Sequence, residues 1–131
     1  MCGRFVLETP LNATAEIFNA QMAESLVTVP NFNICPSENI SVLVSNSDKR
    51  KLGDMRWGFV PHWYKSVGDG PLLFNARAET LANKPAFRDA CRKRRCLIPA
   101  DGFYEWKKQV GSKSKPFYVR RSDRQQMIFA G

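Results

Sequence analysis

Histidine is almost missing from this sequence, which contains only His62. A structural zinc site needs four cysteine or histidine ligands, usually in two closely spaced pairs. Cys91 and Cys96 lie near each other in the chain, but no second pair at a ligand spacing accompanies them. We therefore expect no metal site and no cofactor. Cys35 and Cys96 are interpreted as small apolar residues of the core.

Long apolar runs are also missing. None approaches the roughly 20 residues that a membrane-spanning helix needs. The N-terminus lacks the basic and then apolar pattern of a secretory signal peptide. We expect an intracellular protein whose cysteines stay reduced.

Acidic residues are scarce: 12 Asp and Glu stand against 20 Lys and Arg, for a net charge of +8. Such an excess favours polyanionic partners, with nucleic acid first and an anionic membrane surface second. Many small proteins are basic without such a partner, so charge alone does not decide. The length of 131 residues and the hydrophobic content of 44% are typical of one globular domain.

The pattern of apolar and turn-forming residues predicts many short strands and two helices. The helices are expected at 10–24, opened by Thr9-Pro10 and with Met22 on the buried stripe, and within 84–95. Loops are expected at 28–39 and 61–71, a turn at 45–48, and a hairpin tip at 109–115. Strands are expected at 2–7, 40–44, within 51–60, and at 72–80, 96–99, 103–108, 116–121 and 126–130. The predicted fold is α+β, with short antiparallel or mixed strands forming a barrel-like or two-sheet core.

The first residues, Met1-Cys2-Gly3-Arg4, carry a reactive pair if Met1 is removed, which the small Cys2 side chain permits. Cys2 would then hold an amine that titrates near ~7.7–8.0 and a thiol near ~8.5. An aldehyde can form an imine with this amine, and the thiol can close on the imine carbon to give a thiazolidine. Arg4 is expected to favour the thiolate. Alternatively, Cys2 is a small apolar residue that begins a buried strand.

Two further stretches place polar groups where a rigid element ends. Asn75, Arg77 and Glu79 follow the apolar run at 72–74, a common way to present reactive groups. The basic run at 92–95 has two interpretations. Its cations either stabilise a helix C-terminus or bind a row of phosphates.

Several stretches together resemble one family, the SOS response-associated peptidase (SRAP) or abasic-site processing proteins. Five motifs occur in the family's order, and FAG at 129–131 resembles the start of a sixth. They are MCGR at 1–4, FNICPSE at 32–38, MRWGFVPHW at 55–63, FNARAET at 74–80 and CLIPADGFYEW at 96–106.

The resemblance implies a suicide enzyme that binds single-stranded DNA with an abasic site. Its N-terminal cysteine joins the ring-opened sugar aldehyde as a thiazolidine and so shields the lesion from strand cleavage. The implied catalytic residues are Cys2 as nucleophile, Glu105 as the carboxylate and Asn75 at the reacting sugar. Arg77 is implied to hold a backbone phosphate, and Arg4 and Trp63 to line the DNA channel.

Each implied role has an ordinary structural alternative. Glu105 could be a surface carboxylate paired with Lys107 or Arg120, and strand alternation directs Tyr104 and Trp106 to the opposite face.

Arg77 could form an ion pair with Glu79 instead of binding phosphate. Trp63 could stack on a splayed base or cover a hydrophobic patch.

The family pattern also carries a histidine beyond the FAG motif, and this sequence ends at Gly131, before that position. His62 does not match it. We expect residues 1–131 to be a single domain without the family's C-terminal part, and hence with an exposed sheet edge. The resemblance implies a monomer, located in the cytoplasm of a bacterium or the nucleus of a eukaryote.

Two other function classes stay open from the sequence. An amidohydrolase or glutamine amidotransferase with an N-terminal nucleophile can also begin Met-Cys-Gly. A non-catalytic module that binds single-stranded DNA would equally fit the charge and the aromatic residues. The family's name adds the possibility that the domain cleaves its own Met1.

Overall fold

The computed structural model describes residues 2–46 and 48–131, so the predicted removal of Met1 lies outside the described residues. Short strands dominate, with three short helices among the described residues. The helices are α1 (Leu11–Ile17), α2 (Ala78–Leu81) and α3 (Arg88–Lys93). The strands are β1 (Phe5–Leu7), β2 (Ala20–Met22), β3 (Asn31–Ile34), β4 (Asn39–Asn46), β5 (Lys49–Arg56), β6 (Leu97–Ala100), β7 (Gly102–Gln109), β8 (Ser112–Val119) and β9 (Met127–Ala130).

The first sheet has the order β3-β1-β7-β8. β1 lies inside it and pairs antiparallel with β3 on one side and β7 on the other. Phe5 lies opposite Phe103, and Val6 lies opposite Gly102. The start of the chain is therefore held beside a segment about 100 residues later.

The second sheet has the order β2-β5-β4-β6-β9. β2 runs parallel to β5, and the other neighbours are antiparallel. One antiparallel sheet and one mixed sheet, with a few short helices, confirm the predicted α+β class and its two-sheet core.

The core lies where the two sheets meet around Phe5, which is 2% exposed. Its ring packs edge-on against Trp57, with centroids 5.2 Å apart, and against Phe129 in β9, at 6.0 Å. Phe129 also contacts Phe103 in β7, at 5.8 Å. Aromatic side chains from both sheets thus bury one another, and each such edge-to-face contact adds to the burial energy.

The predicted helix over 10–24 is wrong beyond α1. The helix begins after Pro10, and Thr9 does not cap it. Asn19 has a positive φ of 47°, a left-handed conformation that asparagine tolerates better than most residues and that ends a helix. Met22 lies in β2 and is 40% exposed, so it is not part of the core.

The predicted strand over 72–80 is also wrong. Leu73 makes only an isolated bridge with Phe59, and α2 begins at Ala78. The expected loop over 28–39 contains β3 and reaches the first residue of β4. β4 continues to Asn46, past the start of the expected turn, and Ser47 lies outside the described residues.

The other predicted elements are confirmed in type, with shifted ends. The hairpin forms from longer strands than expected, because β7 runs to Gln109 and β8 begins at Ser112.

Across the described ranges, 2–46 and 48–131, no helix is long and apolar enough to cross a membrane. In the same ranges, no group of three or more His, Cys, Asp and Glu side chains could hold a metal ion.

Candidate active site at the N-terminal strand

The residues before β1 continue its alignment with β7. The Tyr104 backbone N–H donates to the Arg4 carbonyl, with N···O 2.9 Å, one step beyond the paired residues Phe5 and Phe103. The Cys2 thiol donates to the same carbonyl oxygen, with Sγ···O 3.4 Å. Continuing this alignment brings Cys2 and Gly3 beside Glu105.

Glu105 lies on the core-facing side of β7. Successive side chains of a strand alternate, so Glu105 shares the face of Phe103, whose ring contacts Phe129. The carboxyl group is half-buried. Its negative charge acts on the Cys2 thiol, which puts the two groups within electrostatic range.

Tyr104 and Trp106 occupy the opposite face, as strand alternation predicts. The Tyr104 ring packs against Trp106, with centroids 6.3 Å apart, and against Tyr118 in β8, at 5.3 Å. The Tyr104 hydroxyl donates to the Phe32 carbonyl, at 3.1 Å. These aromatic rings therefore do not enclose Glu105.

Burial raises the pKa of the Cys2 thiol. A backbone hydrogen bond at Arg4 lowers this pKa in part, and the charge of Glu105 raises it further. The backbone of Arg4 thus acts in the expected direction, but burial outweighs it and the pKa of the thiol is raised. The Arg4 guanidinium lies over the Trp106 ring, 5.9 Å from its centroid, and donates to Asn33 Oδ1 at 3.1 Å, so its charge is engaged on the outer face.

Asn75 makes a direct contact with Cys2. Its side-chain amide donates to the Cys2 carbonyl, with Nδ2···O 2.6 Å. Trp57 holds this segment in place, because its indole N–H donates to the Phe74 carbonyl at 3.1 Å. Since the Trp57 ring also packs on Phe5, the position of Asn75 depends on the core beneath it.

The structure brings together Cys2, Asn75 and Glu105, but not all of the predicted residues. Arg77 lies two residues after Asn75, exposed at the start of α2, where its carbonyl accepts from the N–H groups of that helix. Trp63 is 51% exposed, and its ring packs against His62 and Tyr64 in its own loop.

Sequence reasoning missed three residues that shape the site: Asn33, Trp57 and Trp106. Each lies within or beside one of the sequence motifs, at FNICPSE, MRWGFVPHW and FYEW. Trp57 and Trp106 are two of the three tryptophans in the chain, and this scarcity could have marked them as candidate site residues. The partner of Asn33 is Arg4 on the neighbouring strand, and such a pairing is visible only in three dimensions.

Comparison with known proteins places this arrangement in a family. The model of the SOS response associated peptidase (SRAP) family matches residues 1–131. The abasic site processing protein YoqW of Bacillus subtilis is 39% identical over 132 aligned positions, covering 100% of this chain and 59% of that protein. The abasic site processing protein YedK of Escherichia coli is 32% identical, covering 99% and 58%.

Solved structures show the same fold. A crystal structure of a protein from Bacteroides thetaiotaomicron superposes with a TM-score of 0.82 at 22% identity, covering 98% of this chain and 58% of that one. A phage-related protein from Bordetella bronchiseptica gives a TM-score of 0.77 at 28% identity, covering 98% and 59%. The chain thus spans just under three fifths of the length of these relatives. With a family match over its whole length, the chain belongs to the SRAP family.

Proposed function

We propose that this chain processes abasic sites by joining Cys2 covalently to the ring-opened sugar in single-stranded DNA. The names of the relatives support the substrate class, since YoqW and YedK are both called abasic site processing proteins. The observation that carries the proposal is the convergence of Asn75 and Glu105 on Cys2, from segments far apart in the chain.

The chemistry requires that Met1 be removed, so that Cys2 carries a free amine beside its thiol. The amine adds to the C1′ aldehyde of the opened sugar to give a carbinolamine, which loses water to form an imine. The thiol sulfur then adds to the imine carbon, and the ring nitrogen keeps one proton. The thiazolidine forms with net release of one water and no change of oxidation state.

Glu105 is the proposed acid and base for these proton transfers. Loss of water from the carbinolamine needs a proton on the departing hydroxyl group, and a positioned carboxyl group can supply it. Glu105 fits this role because it is half-buried on the face of β7 beside the N-terminal residues. The same group can take up the proton released when the thiol closes on the imine.

Asn75 is proposed to hold Cys2 and the sugar together. One N–H of its amide donates to the Cys2 carbonyl, and an amide nitrogen carries two N–H groups. The second can donate to a hydroxyl of the opened sugar. This contact orients the aldehyde toward the amine, and such orientation lowers the barrier to reaction.

DNA binding is assigned to cations and aromatic rings around the site. Arg77 lies two residues from Asn75 and is exposed, so its guanidinium can reach a phosphate next to the bound sugar. Arg4 beside Trp106 and the exposed ring of Trp63 are the other proposed contacts. With a net charge of +8, affinity should depend on salt and little on base sequence.

The test is intact-protein mass spectrometry after mixing the protein with a single-stranded oligonucleotide that carries one abasic site. We expect an adduct that survives denaturation without borohydride trapping. It should vanish in Cys2→Ala, which keeps noncovalent DNA binding, and persist in the matched control Cys35→Ala. An adduct in Cys2→Ala, or none in folded protein that lacks Met1, would contradict the proposal.

Removal of Met1 by the domain itself is a separate part of the proposal, suggested by the family's name. Glu105 is the group that would assist cleavage of the peptide bond before Cys2. The measurement is the intact mass of a Glu105→Gln variant, which should retain Met1. A variant that still lacks Met1 would show that Glu105 is not needed for its removal.

A further inference from the structure

Beyond the site, the β7–β8 hairpin carries two lysines directly opposite each other. Lys107 in β7 pairs with Lys115 in β8, two steps along the ladder from the pair Glu105 and Phe117. Both lysines are exposed. No Asp or Glu occurs between Trp106 and Ser122, so this part of the hairpin is uniformly basic.

Both lysines lie on the face of the sheet that carries Glu105. Residues two apart on a strand point to the same side, and directly opposed residues share a face. The Lys115 ammonium lies over the Phe117 ring, 5.7 Å from its centroid, and Phe117 is the residue opposite Glu105. At ~3.3 Å per residue, Lys107 follows Glu105 by about 7 Å along the strand.

This placement has a cost for the folded chain. Like charges directly opposite each other destabilise a sheet. Lysine on an exposed edge can prevent pairing with other chains, which would account for Lys115 in β8. β1 pairs with β7 only at Gly102 and Phe103, so Lys107 also lies beyond the paired part of β1. Protection of the two edges does not require the two lysines to lie directly opposite each other.

We propose that Lys107 and Lys115 form a clamp for a backbone phosphate of the DNA strand, on one side of the abasic nucleotide. This inference rests on the proposed function, because it takes the reacting sugar to lie between Cys2 and Glu105. The phosphate lies between the two ammonium groups and offsets their repulsion. Lysine suits the role, since its long flexible stem lets a point charge follow the DNA backbone.

The first experiment measures the affinity for an undamaged single-stranded oligonucleotide at several salt concentrations. Each lost phosphate contact lowers the slope of log K against log salt by about 0.7 for single strands. Because the clamp holds one phosphate, the double variant Lys107→Ala/Lys115→Ala should lose about 0.7 from the slope. The matched control, Lys93→Ala/Lys108→Ala, removes the same charge from α3 and from the other face of β7, and should keep the slope.

Thermal melting distinguishes a role of Lys107 in DNA binding from a role in stabilising the fold. Lys107→Ala removes the repulsion without disturbing the contact of Lys115 with Phe117, so Tm should rise while DNA affinity falls. A fall in both Tm and affinity would overturn the inference, since it would mean that Lys107 serves the fold.

The second experiment compares crosslinking rates on oligonucleotides with the abasic site at the 5′ end or at the 3′ end. The double variant should be slowed on only one of them, because the clamp acts on one side of the lesion. Equal slowing on both, or a salt slope equal to that of the control pair, would overturn the clamp. The salt experiment uses undamaged DNA, so its result stands even if the thiazolidine chemistry fails.

Discussion

The Asn75 side chain donates a hydrogen bond to the Cys2 carbonyl, with Nδ2···O 2.6 Å, and so joins the segment after residues 72–74 to the start of the chain. In the proposed reaction, the amine and the thiol of Cys2 must both reach one carbon atom, and this hydrogen bond fixes the Cys2 backbone. Errors in that geometry affect the rate of reaction more than they affect DNA binding.

Replacement of Asn75 tests this link. In Asn75→Ala the lost hydrogen bond is worth about 1 kcal/mol, so the crosslinking rate should fall roughly five- to tenfold. Affinity for undamaged single-stranded DNA should stay unchanged. Rates come from the time course of adduct formation on denaturing gels. The control is Asn83→Ala, an exposed asparagine after α2, and an equal loss in that variant would contradict the role of Asn75.

The raised pKa of the Cys2 thiol predicts how its reactivity depends on pH. A thiol with a raised pKa is less ionised at neutral pH, so alkylation of Cys2 should reach half its maximal rate at a higher pH than in an ordinary cysteine. Removing the charge in Glu105→Gln should lower this pH midpoint. Peptide-resolved mass spectrometry after iodoacetamide treatment measures it.

In Glu105→Gln protein prepared with Cys2 as its first residue, crosslinking should be slowed, because the proposed proton donor is lost. Alkylation and crosslinking of Glu105→Gln should therefore change in opposite directions below the thiol pKa. The control is Glu24→Gln, which removes the charge of an exposed carboxylate outside the candidate site. An unchanged alkylation midpoint in Glu105→Gln would show that the charge does not act on Cys2.

Single residues could be predicted where their chemistry is unusual. Cys2, Asn75 and Glu105 were predicted from a reactive pair and from motifs, and the structure places Asn75 and Glu105 near Cys2. Their catalytic roles stay a prediction. From the sequence, Arg4 was expected to favour the Cys2 thiolate and to line a DNA channel. Its contacts with Asn33 and Trp106 were not predicted, because these residues lie on the two strands flanking the N-terminal segment.

At the level of elements, the turn between β6 and β7 anchors the chain after β1. The Asp101 carboxylate accepts hydrogen bonds from the backbone N–H groups of Glu8 and Thr9, at 2.6 and 2.8 Å, and from the Thr9 hydroxyl. This explains why Thr9 does not cap α1: its hydroxyl is engaged by Asp101. The contact joins residues more than 90 positions apart, so the sequence pattern did not predict it.

Asp101→Ala should destabilise the protein by about 2 kcal/mol, since hydrogen bonds to a charged group are stronger than neutral ones. Urea denaturation followed by circular dichroism measures the free energy of unfolding. Asp89→Ala, which removes an exposed carboxylate 3.8 Å from Arg88, should change it by less than about 0.5 kcal/mol. Equal effects of the two substitutions would show that the anchor does not stabilise the fold.

The type of an element could be predicted where the strand pattern was long, as in β4 and β7. The prediction failed where the same residues are compatible with more than one secondary structure. The stripe over residues 10–24 continues past Ile17, but Asn19 adopts a left-handed conformation and the chain then pairs with β5. In the apolar run at 72–74, the Phe74 ring packs against Trp57, and Leu73 makes only an isolated bridge with Phe59. In both segments, contacts with distant parts of the chain determine the secondary structure.

For the molecule as a whole, the two sheets share one aromatic core, so they should unfold together. Phe5 lies at their junction and is 2% exposed. Phe5→Ala leaves a cavity beside Trp57 and Phe129 and should cost about 3–5 kcal/mol. That is a large part of a total stability of about 5–15 kcal/mol.

Thermal melts followed by tryptophan fluorescence and by far-ultraviolet circular dichroism should coincide in wild type and in Phe5→Ala, with Tm lowered in the variant. The control is Phe32→Ala, whose ring is 56% exposed and whose Tm should change little. Separate transitions for the two probes would mean that each sheet forms its own cooperative unit.

The position of β1 between β3 and β7 also sets the order of events during biosynthesis. Cys2 cannot reach its final surroundings until the ribosome has added the residues of β7, because Phe5 pairs with Phe103. At about 5–20 residues per second, this delay is roughly 5–20 s. During that interval the emerging N-terminus has not yet met Asn75 or Glu105. Self-removal of Met1, which is proposed to need Glu105, can therefore begin only after the first sheet has assembled.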